Sequence, residues 1–351
     1  MRPTTVMTIA HVALALVTAP AWAQDSQPRI VIRDHITHVT AARAYQGRNT
    51  GPEQTERISR KVRIGRDGRV SISNIAGDMV ITTAGGDEVS IEAVKRARGS
   101  RSDLGNVRVS IDERAGRVDV RTEHEQNYRN RDGRWDNVSV DFTVTVPAGA
   151  AVDLHSVSGN LKVTGVRGAL RLETISGDVT ATDAPKVEVA KSVSGTVTLT
   201  GVSSDGDLSA TSISGNVVAR SLKVHALDLS SVSGNINVAD VTCDRLTAKS
   251  VSGGVEYSGA INKGGSYDFN VHSGTVRLTL ANPSGFVLNA NSFSGSIRSD
   301  LPLTIGGDSR ERDRRGRPVG FSSHSLRATY GDGSATLTVR TFSGDIVIAK
   351  R

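Results

Sequence analysis

The feature that most constrains this chain is a tetrapeptide that keeps returning. Ser-Val-Ser-Gly or a near variant ends at Gly159, Gly177, Gly195, Gly215, Gly234, Gly253, Gly274, Gly295 and Gly344, and the first eight glycines stand 18 to 21 residues apart. A degenerate copy, Asn74-Ile75-Ala76-Gly77, lies upstream. Self-similarity at a fixed period of about 20 residues is the mark of a repeat architecture, in which no unit buries its apolar face alone.

With each glycine taken as zero, offsets −7, −5, −2, +2 and +4 are apolar. The Gly159 copy supplies Val152, Leu154, Val157, Leu161 and Val163, and the Gly234 copy Leu227, Leu229, Val232, Ile236 and Val238. Only Glu188, His272 and Ser299 break the rule among fifty positions. The pairs −7/−5 and +2/+4 have the period of strands with one buried face. Parity changes between −5 and −2, so a bend or bulge is expected there. The glycine then sits where positive φ or close backbone approach is tolerated. Each unit reads as strand, corner, strand and a variable return. Like residues recur at like offsets, as stacking in register requires. The expected fold is all-β: a parallel β-solenoid (β-helix) of about ten 18–21-residue coils with an inserted N-terminal strand excursion. An antiparallel β-meander turning at each Ser-Gly pair is the alternative.

Around this array four segments are expected. Residues 1–23 read as a signal peptide: Arg2, an apolar stretch from Val6 to Val17, and a small-x-small site at Ala21-Trp22-Ala23. That stretch is short for a bilayer span, and no later one approaches the needed length, so no transmembrane span is expected after cleavage. Residues 24–57 read as a partly disordered linker. Residues 58–150 form an N-terminal β region or cap that holds the first coil and the insertion. Residues 151–351 carry the remaining repeats, with a charged loop at 301–335. The expected destination is export, to the periplasm or to the cell surface. The lone Cys243 has no intramolecular partner and reads as a buried spectator.

The runs Phe142-Thr-Val-Thr-Val-Pro147, Val152-Asp-Leu-His-Ser-Val-Ser-Gly-Asn-Leu161 and Thr341-Phe-Ser-Gly-Asp-Ile346 resemble the bacterial exported β-strand-repeat family of unknown function often called adhesins. The resemblance covers residues 58 to 351 and implies an envelope-associated β-solenoid, with no catalytic residues to carry over.

Candidate chemistry is sparse. Serine fills offset −1 in nine of ten copies and serine or threonine fills −3 in eight, which reads as a hydroxyl ladder at a corner rather than a set of nucleophiles. No Gly-x-Ser-x-Gly elbow is present, and His272 reads as a local core or corner substitution. Asn or Asp often follows the glycine (Asp78, Asn160, Asp178, Asn216, Asn235, Asp345), but calcium-binding spacing is missing, so turn chemistry accounts for it. Tyr257, Tyr267, Phe269, Phe293 and Phe342 fall in columns read as inward, leaving no aromatic platform for sugars. No catalytic, cofactor-binding or metal-ligating residue is expected, and a polysaccharide lyase or hydrolase is the remote enzyme reading.

The chain carries 43 basic and 36 acidic residues for a net charge of +7. Two clusters concentrate that charge: Arg129, Arg131 and Arg134 beside Tyr128 and Trp135, and Arg310, Arg312, Arg314, Arg315 and Arg317. Both are candidate anion contacts, although interspersed acids dilute them. The expected function is an adhesin-like, non-enzymatic surface for adhesion or assembly. The alternative is a periplasmic binding or scaffold module for an anionic envelope glycan. The expected partner is an envelope glycan or another envelope protein, and not nucleic acid.

Overall fold

In a computed structural model, residues 53–98, 101–124, 138–281, 283–305 and 325–351 are described. They form an all-β, β-solenoid-like stack whose one helical element is a 3-10 turn at Arg101–Asn106. Each repeat contributes two strands, such as Ala151–Ser158 and Leu161–Thr164 on either side of Gly159. These two strands enter different sheets. Ala151–Ser158 pairs in parallel with Leu170–Ser176, matching Val152 to Leu170 and Ser156 to Thr174. Leu161–Thr164 pairs in parallel with Val179–Thr182. The same parallel register carries on through the Gly195, Gly215, Gly234, Gly253 and Gly274 units. A meander would pair the two strands of one unit with each other. Here each pairs with its counterpart in the next unit, or rung.

The core lies between the two sheets. Columns −7, −5, +2 and +4 point inward, as with Val152, Leu154, Leu161 and Val163, all buried. A further inward column comes from the returns: Val166, Ala184, Val202, Leu222 and Val241. In these rungs it stands at a fixed +7 from the glycine, a position outside the five apolar offsets of the repeat. Glu188, an exception at −7, is resolved by a register shift. Arg171 pairs with Val189 while Leu170 pairs with Val187, so Val187 fills the core and Glu188 bulges outward. There it accepts a hydrogen bond of 3.0 Å from Arg171.

The −2 column corrects the sequence reading. Val157, Ile175, Val193, Ile213, Val232 and Val251 are exposed, while the polar −3 residues Ser156, Thr174, Ser192, Ser212, Ser231 and Ser250 are buried. The strand period of two runs on to −3, and the parity change falls at the corner rather than between −5 and −2. A small hydroxyl is tolerated inside because its proton has an acceptor. Ser192 Oγ donates to the Gly177 carbonyl at 2.8 Å, and Ser212 Oγ to Gly195 at 2.8 Å. Ser231 and Ser250 repeat the bond to Gly215 and Gly234 at 3.1 and 3.3 Å. The −1 serines, by contrast, are exposed. Phe293 and Phe342 also lie outside the core, unlike the buried Tyr257, Tyr267 and Phe269. His272 belongs to the exposed column as well, and is not a core substitution.

The glycines stack one above another. A Cβ on Gly159 would strike the carbonyl of Gly77, one on Gly177 that of Gly159, and so on through Gly195, Gly215, Gly234 and Gly253. At Gly177 the backbone is also left-handed, with φ of 150°. The +1 residues staple the same corner from the far side. Asp78 Oδ1 accepts the Asn160 amide at 2.8 Å, Asn160 Oδ1 the Asp178 amide at 2.9 Å, and Asp178 Oδ1 the Thr196 amide at 2.7 Å. Near the other end, Asp345 accepts from both the amide and the hydroxyl of Ser296 at 2.8 Å. Those bonds, the amide's first, hold its carboxyl below the usual carboxylate range.

Both ends depart from simple succession. Beyond Gly77 the next rung is split: strands Arg117–His124 and Val138–Pro147 pair in parallel with Arg69–Ala76 and Met79–Ala84. Val118, Val120, Phe142 and Val144 take the four inward columns, and Asp141 Oδ1 accepts the Asp78 amide at 3.0 Å. Residues 125–137 stand in the sequence where other rungs have their Ser-Gly corner, which hides this rung from a search by spacing. Antiparallel strands Val107–Arg114, Glu88–Arg98 and Glu53–Arg63 then cover that end. At the opposite end, spatial order differs from chain order. Strand Ala335–Ser343 lies between Ser266–Ser273 and Gly285–Ser294, parallel to both. The Gly344 rung is thus inserted between the Gly274 and Gly295 rungs, and Ser325–Gly331 closes the outer edge antiparallel to Gly285–Ser294.

Cys243 is buried, and burial pushes its thiol up to about 12. Its carbonyl accepts from the Tyr267 hydroxyl at 2.9 Å and from Asn262 Nδ2 at 3.1 Å. A thiol-alkylating reagent at neutral pH is expected to label Cys243 only after denaturation. Rapid labelling of the native protein would contradict this packing.

Candidate functional site

The sequence-derived anion contacts Arg129, Arg131, Arg134, Arg310, Arg312, Arg314, Arg315 and Arg317 lie outside the described residues. Within the described residues, the outward −2 column is the most unusual surface. In spatial order it runs Ile75, Val157, Ile175, Val193, Ile213, Val232, Val251, His272, Phe342 and Phe293. Its apolar members range from 37% exposed at Ile75 to 70% at Phe293. Soluble surfaces scatter single apolar side chains, whereas a contiguous line of them marks a contact surface.

Three elements place these side chains. Strand alternation turns −2 outward once −3 has turned in. The glycine stack fixes the corner, and the parallel register sets each −2 residue above the last. At the Gly274 end the line becomes aromatic. His272 stacks on Phe342 with ring centroids 4.8 Å apart and planes 10° apart, and Phe342 stacks on Phe293 at 4.8 Å and 3°. This triad exists only because the Gly344 rung is inserted between the other two. In the sequence, Phe342 and Phe293 are 49 residues apart.

Beside the line runs the −4 column, also outward, with His155, Glu173, Lys191 and Lys249 among its members. Glu173 lies 3.6 Å from His155 Nδ1 and 4.0 Å from Lys191 Nζ, loose contacts between exposed groups. Between the two columns lies a groove of about 520 Å³. Ile75, Val157, Ile175, Val193 and Ile213 wall it, and Asn74, Ser156, Thr174 and Ser192 line its depth. The buried Ser156 hydroxyl has no hydrogen-bond partner. Asn74 Nδ2 already donates to the Gly77 carbonyl at 3.1 Å, the acceptor that Ser156 would take by the pattern of the other rungs.

The remaining polar candidates go elsewhere. His225 Nδ1 lies 3.1 Å from Asp244 Oδ2 on the exposed surface. Among the described residues, no group of three or more His, Cys, Asp or Glu is arranged to hold a metal ion. Asn and Asp at +1 spend their side-chain oxygens on the next rung's amides. No described helix is long and apolar enough to cross a membrane.

A family model described as Toastrack DUF4097 matches residues 68–349. The chain is also similar to three solved structures. A candidate adhesin of Bacteroides fragilis shares 13% identity, with 83% of this chain and 96% of that one covered and a TM-score of 0.40. A candidate lipid-binding protein of Parabacteroides distasonis shares 10%, with 83% and 96% covered and a TM-score of 0.42. A candidate adhesin of the same organism shares 11%, with 86% and 98% covered and a TM-score of 0.39. No curated protein matches the chain.

Proposed function

The chain belongs to the Toastrack DUF4097 family, and we propose that it is a non-enzymatic, adhesin-like scaffold of the cell envelope that docks its partner along the exposed −2 line. The scaffold is one continuous parallel β-solenoid of about ten 18–21-residue coils, exported by the leader-like residues 1–23. The observation that carries this reading is the exposure of Val157, Ile175, Val193, Ile213, Val232 and Val251 in one row. A row of β-branched side chains left half in water raises the free energy of the isolated protein. Covering it recovers roughly 25 cal/mol for each Å² removed from water. The rigid stack beneath is already ordered, so little conformational entropy is lost on docking.

A photo-crosslinking residue placed in living cells tests the reading. At Val193, on the line, adducts are expected. At Thr198, half-buried on the outward face of the other sheet, they are not. No adduct from Val193, or equal adducts from both positions, would overturn the docking edge.

A further inference from the structure

We infer that the occupant of this edge is a second copy of the chain, joined in an antiparallel, twofold-symmetric dimer. This rests on the docking-edge reading and names its partner. Ten side chains one strand spacing apart, about 4.8 Å each, make a line about 43 Å long. A partner that matches successive steps needs an apolar row of the same period, and a second copy carries one by construction. A twofold axis uses the same patch on both copies, so assembly closes at two.

Area agrees with that partner. From the −4 to the −1 column is about 10 Å of strand, and side chains widen the strip to about 20 Å. The strip then offers roughly 800 Å² per copy, the size of an ordinary stable interface.

Charge selects the register. Glu173 lies two rungs from Ile213 on one side and Lys249 two rungs on the other. An antiparallel twofold axis at Ile213 therefore sets Glu173 of each copy opposite Lys249 of the second. It also sets Lys191 opposite Ser230, and Arg340 opposite Ser73. A slip of one rung in one direction opposes Lys191 to Lys249. A slip in the other opposes Arg340 to Arg121, which pairs with Ser73 in the split rung. Like charges facing across an apolar contact disfavour both slips. In the selected register Ile175 meets Val251, Val193 meets Val232, and Ile213 meets itself.

Sedimentation equilibrium of the purified chain is expected to give a dimer. Ile213→Asp, which acts twice at the axis, is expected to weaken association by about tenfold or more. Its circular dichroism should not change, because the side chain faces solvent in the monomer, and its melting temperature should lose only the concentration-dependent part that association supplies. Glu173→Lys is expected to weaken the dimer, and Glu173→Lys with Lys249→Glu to restore it. A monomer at tens of micromolar, a dimer indifferent to Ile213→Asp, or a double swap as weak as the single one would overturn the dimer. A Val193 crosslink to a different protein also removes the dimer but leaves the docking edge standing. No adduct at all removes both.

Discussion

Gly215→Ala is expected to destabilise the protein by about 3 kcal/mol or more, a large share of the stability of an ordinary domain. Backbone conformation is not the cause, because Gly215 does not occupy the left-handed region. The cause lies between rungs. A Cβ there would overlap the carbonyl carbon and oxygen of Gly195, and Ser212 Oγ already donates to that same carbonyl at 2.8 Å. Strand spacing of about 4.8 Å is fixed on both sides of the corner by ladder hydrogen bonds, so the rungs cannot part locally to admit a methyl group. Ser214→Ala, one residue away and exposed, is expected to stay within about 0.5 kcal/mol of the parent. Urea unfolding of the two variants decides the matter. Equal midpoints would mean that the glycine column is not needed for stacking.

Deleting residues 335–351 is expected to undo one end of the stack while the rest holds. That segment forms the rung between Gly274 and Gly295 and buries Leu337, Val339, Ile346 and Ile348. Losing four fully buried aliphatic side chains removes roughly 6–12 kcal/mol of burial. The ladder bonds from the Gly274 amide to Ser343 O and from the Gly344 amide to Ser294 O, each 3.0 Å, go with them. Because a stack of repeats is coupled mainly to nearest neighbours, the loss is local. Hydrogen exchange on the truncated chain should show protection falling across residues 285–299 and persisting across 151–234. Retained protection at 285–299 would mean that the Gly295 rung reattaches directly to the Gly274 rung. Uniform loss would mean that the stack melts as a single unit.

The strand content, the corner and four of the inward columns are legible in the amino-acid order, because period-two alternation beside a recurring glycine has few other solutions. Positions −2 and −3 depart from what hydrophobicity alone predicts. Hydrophobicity as the guide to burial puts Val193 inside and leaves Ser192 at a corner. Strand geometry outranks hydrophobicity here: alternation from −7 forces −3 inward, and a glycine carbonyl one rung below gives the serine an acceptor. The acceptor belongs to another rung, so a single unit does not reveal it. The split rung at Val118–Val144 is missed for a related reason, because an insertion destroys fixed spacing, whereas the core column at Val166 and Val202 keeps a constant +7 offset and is legible in the repeat.

Only the tertiary structure decides the order of the last three rungs. The row of glycines says that Gly344 belongs to the stack, but not that it slips between Gly274 and Gly295. That insertion gathers His272, Phe342 and Phe293 into one exposed stack. The repeat itself, read as Ser-x-Ser-Gly, determines how each rung turns. What it presents to a partner follows from which of its residues face out, and that is fixed by hydrogen bonds between rungs that lie far apart in the chain.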